Sequence, residues 1–212
     1  MPDEKKRSIV YIDGFNLYYG TVRDTPWKWL NIQSYFERLR QDDDIQAIKY
    51  FTAIVQNDRH ARNRQCAFLA ALGTLPKVQI LEGRFKPKRV TCRVRGCHFR
   101  GSRTFNAPEE KQTDVSIGVH MIDDAYRDAC DRLIVVSGDS DLLPALDMVK
   151  LRFPQKKITV YVPARDRTRG AAVELRRAAH RHLTLPNSMI KDHLFPDLVI
   201  TENLIVAKPV EW

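Results

Sequence analysis

The chain contains no apolar run long enough to span a membrane, which excludes a transmembrane helix and a membrane partner. A signal-peptide core is missing too. Met1-Pro2-Asp3-Glu4-Lys5-Lys6-Arg7 leads straight into a strand pattern, which reads as a cytoplasmic protein. In that compartment the four cysteines, Cys66, Cys92, Cys97 and Cys130, read as reduced thiols. Internal repeats and low-complexity tracts are absent. Room for a second sizeable domain is absent as well, because 212 residues suit one α/β domain.

Positive charge, by contrast, is in excess. Thirty-five Lys and Arg against 26 Asp and Glu leave a formal charge of +9. Such a balance suits a polyanionic partner, since Lys and Arg gain affinity by releasing counterions from phosphates.

Short apolar runs alternate with helical patterns. Strands are predicted at Ser8–Asp13, about Ala47–Val55, Lys77–Leu81, Leu133–Val136 and Ile158–Val162. Asn31 caps a helix with Ile32, Tyr35, Phe36 and Leu39 on its apolar face. Asp58 opens another that stops at Gly73. Further helices are predicted at Glu110–Cys130, Leu142–Arg152 and Arg169–His182. Cys66 and Cys130 fall on helical patterns and read as core, and Trp27 and Trp29 read as packing residues. Strands alternating with helices argue for a parallel sheet covered on both faces. The apolar tail beyond Pro196 is compatible with a strand, a docking segment or disorder.

The organising stretch is Ile134-Val135-Val136-Ser137-Gly138-Asp139-Ser140-Asp141-Leu142-Leu143. A buried strand ends at a glycine and hands over to a helix, with two carboxylates at the junction. Asp141 there is open to two readings, helix cap or functional acid. In open α/β sheets ligands gather outside the carboxyl ends of the strands. Asp13 stands at such an end after the first strand. Asp114 shares one helix face with Ile117, Gly118, Met121, Ile122, Ala125 and Ala129, and an unpaired carboxylate turned inward needs a partner or a metal. Asp123, Asp124 and Asp128 fall on other faces and read as solvated. If the first and fourth strands are neighbours, Asp13, Asp114, Asp139 and Asp141 meet in one cleft. Their repulsion is relieved by a divalent cation, and oxygen-only ligands select Mg²⁺ or Mn²⁺.

Tyr11-Ile12-Asp13-Gly14-Phe15-Asn16-Leu17, Glu110-Lys111-Gln112-Thr113-Asp114-Val115 and Val136-Ser137-Gly138-Asp139-Ser140-Asp141-Leu142 resemble the three signature segments of NYN domains. The match is to the LabA-like group within the PIN-like nuclease superfamily, over about residues 8–185. The resemblance implies an α/β, three-layer PIN-like fold whose parallel strands run in the order 3-2-1-4-5. It implies a metal-dependent ribonuclease with Asp13, Asp114, Asp139 and Asp141 as the acidic set. Asn16 and Ser137 would be polar neighbours of the site and Lys111 a phosphate contact. Residues 1–185 would form the nuclease domain, and 186–212 a C-terminal extension.

From Arg84 to Pro108 there is no Asp or Glu. This insertion carries Lys86, Lys88, Arg89, Arg93, Arg95, Arg100 and Arg103, with Phe85 and Phe99 among them. It reads as an RNA-binding arm, with a solvated basic loop as the other reading. Arg165, Arg167, Arg169, Arg176, Arg177 and Arg181 form a second basic group. Cys92-x₄-Cys97-His98 raises the question of zinc, but no second Cys/His pair follows. A hairpin turning at Arg95-Gly96 with reduced cysteines is the preferred reading. Single-stranded RNA is the expected partner, with DNA and a homodimer left open. The first strand reads Asp13-Gly14-Phe15, which lacks the Asp-x-Asp of an aspartyl phosphatase.

Overall fold

The computed structural model describes residues 5–164 and 173–212. Strand β1 (Lys6–Asp13) leads into the short helix α1 (Gly14–Leu17) and a π-helical turn (Tyr18–Val22). Helix α2 (Ile32–Leu39), β2 (Asp43–Thr52), α3 (Arg59–Leu72) and β3 (Val78–Glu82) follow. Next come β4 (Arg84–Thr91), β5 (Thr104–Lys111), α4 (Thr113–Tyr126), β6 (Arg132–Val136), α5 (Leu143–Arg152), β7 (Lys157–Val162), α6 (Val173–Ala178) and β8 (Arg181–Thr184). The chain ends with β9 (Leu198–Ile200) and β10 (Ile205–Ala207).

Alternation along the strands divides the core in two. Val10, Ile12, Ile48, Ile134 and Val136 point to one face, where α2 and α3 cover them with Tyr35, Phe36, Leu69 and Leu72. Ile9, Tyr11, Leu133, Val135, Ile158 and Val160 point to the other, against Ile117 and Met121 of α4, Leu146 and Val149 of α5 and Leu175 of α6. Each fully buried side chain of this kind contributes about 1.5–3 kcal/mol. The two helix starts read from sequence hold: Asn31 accepts from the Ser34 N–H and Asp58 from the His60 and Ala61 N–H groups. Trp27 and Trp29 do pack, and Trp29 is fully buried with its indole N–H donating to the Pro196 carbonyl at 2.8 Å.

All six strands of the main sheet are parallel, in the order β3-β2-β1-β6-β7-β8. The five expected strands keep their places, but the order differs in detail from 3-2-1-4-5. A sixth strand, β8, extends the sheet, and the antiparallel pair β4–β5 stands apart from it.

Four expectations need correction. Arg181 and His182 are not helical, because β8 satisfies the free edge of β7 from Thr159–Arg181 to Val162–Thr184. The start of the expected helix, Arg169 to Ala172, lies outside the described residues, as do Arg165 and Arg167 before it. The helix expected from Glu110 starts at Thr113. Glu110 and Lys111 pair with Phe85 and Arg84 instead, and Gln112, at φ 82°, makes the turn. Cys66 is exposed rather than core. Finally, Asp124 is buried, not solvated: its carboxylate lies 2.6 Å from Lys49 Nζ and accepts from the Tyr11 hydroxyl at 2.7 Å. It falls one turn after Met121 on the sheet-facing side of α4, and these two partners compensate its charge there.

The basic segment is a hairpin with its turn at Arg95–Gly96, where Gly96 adopts φ 76°. Cys92 and Cys97 are free thiols. The tail forms the β9–β10 hairpin, with Val199 and Val206 buried against the α2–α3 side. No helix among the described residues is long and apolar enough to cross a membrane.

Candidate active site

β1 and β6 are direct neighbours, so their carboxyl ends coincide. Asp13, the last residue of β1, is buried at 4% exposure. By strand alternation it falls on the α4 side of the sheet, beyond Tyr11. It caps α1, accepting from the Asn16 backbone N–H at 2.9 Å, from the Asn16 side-chain amide at 2.5 Å and from the Ser137 hydroxyl at 3.2 Å. Asn16 also reaches across, its Oδ1 accepting from the Gly138 N–H at 3.2 Å. The Ser137 hydroxyl in turn accepts from the Asp139 N–H at 3.1 Å, and Asp139 accepts from the Asp141 N–H at 3.0 Å. One hydrogen-bonded chain therefore links Asp13, Asn16, Ser137, Asp139 and Asp141 across the two strand ends.

Asp114 enters from the first turn of α4. Burial pushes its carboxyl up to about 6, and the charges of Asp13, Asp139 and Asp141 push in the same direction. All four acids expected from sequence are therefore within electrostatic reach of one another. Burial also raises Asp13, against the hydrogen bonds from Asn16 and Ser137 and with help from Asp139.

A fifth acid was not expected. Glu110, at the end of β5, is pushed up to about 7 by burial, opposed by a hydrogen bond from Thr113 and reinforced by Asp13 and Asp114. Sequence reasoning missed it because it placed Glu110 inside a helix. None of the five carboxylates forms an ion pair among the described residues.

The hairpin stands at the same edge. Phe85 of β4 meets Phe15, which follows Gly14, with ring centroids 5.7 Å apart and nearly perpendicular planes. Opposed residues of an antiparallel pair share a face. Phe85 and Glu110 therefore share theirs with Arg89 and Asn106, and this is the face turned to the acids. Lys86 and Lys88 project from the other face. There Lys88 and Lys111 pair with Glu109, at 2.5 and 2.8 Å. Lys111 is thus neutralised by a neighbour rather than held out alone. Arg93, Arg95, Arg100 and Arg103 are exposed around the loop, and Arg103 donates to the Cys97 carbonyl at 3.2 Å. Arg176, Arg177 and Arg181 are exposed on α6 and β8, at the opposite edge of the sheet from β3.

The profile of the NYN domain matches residues 7–186. The chain belongs to the NYN domain family. Among curated proteins, 6-hydroxy-3-succinoylpyridine 3-monooxygenase HspA of Pseudomonas putida (strain DSM 28022 / S16) is 30% identical over 209 residues, an alignment covering 85% of this chain and 67% of HspA. Among solved structures, a protein of unknown function from Vibrio parahaemolyticus RIMD 2210633, VPA0982, shares the fold with a TM-score of 0.56 at 23% identity. That match covers 92% of this chain and 99% of the Vibrio chain. This NYN domain thus joins an α/β parallel sheet to a cluster of acids at the meeting point of β1, β6 and α4.

Proposed function

We propose that this NYN domain is a metal-dependent endoribonuclease of the LabA-like kind, with residues 1–185 as the nuclease domain and 186–212 as an extension. The observation that carries the reading is a set of acids with no cation paired to them among the described residues: Asp114 and Glu110 are raised to about 6 and 7, by burial and by their acidic neighbours. A cluster of hard carboxylate oxygens in mutual repulsion fits Mg²⁺ or Mn²⁺. As they stand, no three His, Cys, Asp or Glu side chains among the described residues converge enough to enclose an ion. Asp139 and Asp141, which are only partly buried or exposed, have the freedom to swing in.

Asp13, Asp114, Asp139 and Asp141 would hold the ion, with Glu110 beside them. When bound, such an ion supplies a Lewis acid for the phosphate and an acidified water. The chain's own residues do the positioning. Asn16 and Ser137 lock Asp13 in one orientation, and Asn16 ties it to Gly138. Arg89 and the loop arginines hold the strand by its phosphates, as positioning contacts that carry no sequence information. Attack by water on phosphorus with departure of the 3′ oxygen leaves a 5′-phosphate and a 3′-hydroxyl.

A second reading is supported by the dispersed side chains just described: an RNA-binding adaptor that keeps the fold and does not cut. The test is cleavage of end-labelled single-stranded RNA with Mn²⁺, with Mg²⁺ and with EDTA, beside Asp139→Asn. Metal-dependent fragments with 5′-phosphates, absent in the variant, are expected. Intact RNA bound equally by both proteins establishes the adaptor. A 2′,3′-cyclic phosphate contradicts the mechanism. The Pseudomonas relative is named for oxygenation of a substituted pyridine, and a chain with that activity alone leaves RNA intact in every arm.

A further inference from the structure

A second concavity opens on the other side of Gly14 from the acids, on the α3 face of the sheet. Its volume is about 290 Å³, at the small end of the roughly 300–1,000 Å³ seen for ligand pockets. Tyr18, Tyr50, Phe68 and Trp212 line it, Lys28 brings positive charge, and the other charges of the lining are Asp58 and Arg64, the latter paired with Glu211 at 3.5 Å. Phe68 is its pivot, with ring centroids 6.1 Å from Tyr50 and 6.0 Å from Trp212.

Two observations make this more than a gap in packing. Tyr50 is only 6% exposed, yet its hydroxyl has no hydrogen-bond partner among the described residues. The hydroxyl itself keeps accessible surface, so it is open to a ligand that enters the pocket. The hydroxyl also lies only 2.8 Å from where a Cβ on Gly14 would stand, so a side chain at position 14 would collide with it. Second, the pocket and the acids share a wall. Asp13 of the cluster is followed at once by Gly14, which lines the pocket, and Tyr50 feels the charges of Asp13 and Glu110.

We propose that this pocket is a base subsite, which takes one unpaired nucleobase while the adjoining phosphate lies at the acids. The proposal rests on the ribonuclease reading of the acidic cluster and names the part of the substrate that reading leaves open. Aromatic walls stack on any base, because every base presents a π-face. The Tyr50 hydroxyl, donor and acceptor at once, meets a polar atom on the base edge. Lys28 balances a phosphate alongside. A pocket of this size admits a single flat ring system, and a base reaches it only by leaving its stack. The enzyme therefore selects strands with an unpaired nucleotide beside the cut.

The test is calorimetric titration of the full chain in EDTA with adenosine 5′-monophosphate, ribose 5-phosphate and nicotinate. Adenosine 5′-monophosphate should bind at one site, with ribose 5-phosphate at least about tenfold weaker for want of stacking. Tyr18→Ala should weaken the nucleotide by about five- to 150-fold, the size of one stacking contact. Tyr50→Phe keeps the ring, and so decides the matter if Tyr18→Ala does not fold. It should weaken the nucleotide about two- to tenfold with an unchanged melting temperature. The proposal is overturned if the nucleotide does not bind, if it binds no better than ribose 5-phosphate, or if folded variants bind it unchanged. Nicotinate binding without nucleotide binding also overturns it and assigns the pocket to a free aromatic acid. The two readings fail separately. Nucleotide binding in EDTA with no RNA cleavage in Mn²⁺ removes the ribonuclease and keeps the pocket. Cleavage that is indifferent to the pocket variants does the reverse.

Discussion

Asp114 and Asp124 lie ten residues apart on one helix, and both turn toward the sheet. Asp124 meets Lys49 at 2.6 Å and the Tyr11 hydroxyl at 2.7 Å. Among the described residues the charges that bear on Asp114 are those of other acids, and it is pushed up to about 6, first by burial and then by their charge. An inward carboxylate with its own cation is part of the scaffold. An inward carboxylate surrounded by its own kind leaves a deficit of positive charge among the described residues, which a bound cation would make good.

Lys49→Met breaks the first arrangement. It strands a buried charge on Asp124 and should cost about 3–5 kcal/mol in a urea melt, with little change in RNA cleavage per folded molecule. Asp114→Asn breaks the second. It should slow single-turnover cleavage on the order of 10²–10³-fold, the usual loss when one charge-stabilising group is removed. The same variant should gain stability without metal, by under about 1 kcal/mol because the site is partly solvated. A loss of stability instead would put Asp114 in the same class as Asp124.

pH sharpens the contrast further. In the folded chain Glu110 and Asp114 are raised to about 7 and about 6, above their ordinary values of 4.5 and 3.8. The folded state then holds protons that the unfolded state has released, so this stabilisation is full at low pH and fades as pH rises through about 6 to 7. Metal-free urea midpoints should be higher at pH 5.5 than at pH 8, by under about 1 kcal/mol per group after screening. Mn²⁺ should reverse the trend, because binding competes with those protons. In Asp114→Asn the slope should flatten.

The smallest effect concerns the hairpin. Arg89→Ala, on the face turned to the acids, should reduce the slope of log affinity against log salt by about 1. Lys88→Ala should change it less, since Lys88 already pairs with Glu109 at 2.5 Å. Fluorescence anisotropy with single-stranded RNA at several salt concentrations distinguishes them.

Local signals make much of this legible in the sequence. Asn31, Asp58 and Gly73 mark helix ends through chemistry confined to a few residues. Asp13, Asp139 and Asp141 stand out because a strand that ends in an acid is itself a local pattern. What escaped depends on pairing between distant segments. Glu110 reaches the site because β5 pairs with β4 and Gln112 then turns through φ 82°. Asp124 was read as solvated because nothing near it in sequence announces Lys49, 75 residues away, or Tyr11, 113 away. Nothing near Tyr50 in sequence announces that Gly14 lies against its hydroxyl.

The β1–β6 pairing has a further consequence, for the order of events during synthesis. It joins Ser8 to Arg132 and brings Ser137 to Asp13 across 124 residues. Contacts so far apart along the chain close slowly, and a growing chain leaves the ribosome N-terminus first. Asp13 therefore emerges long before the strand that will carry its partners to it. Until β6 docks, the nascent polypeptide has an isolated acid and no cleft. Any enzyme built this way is inert beside the message that encodes it until β6 has been made and has docked.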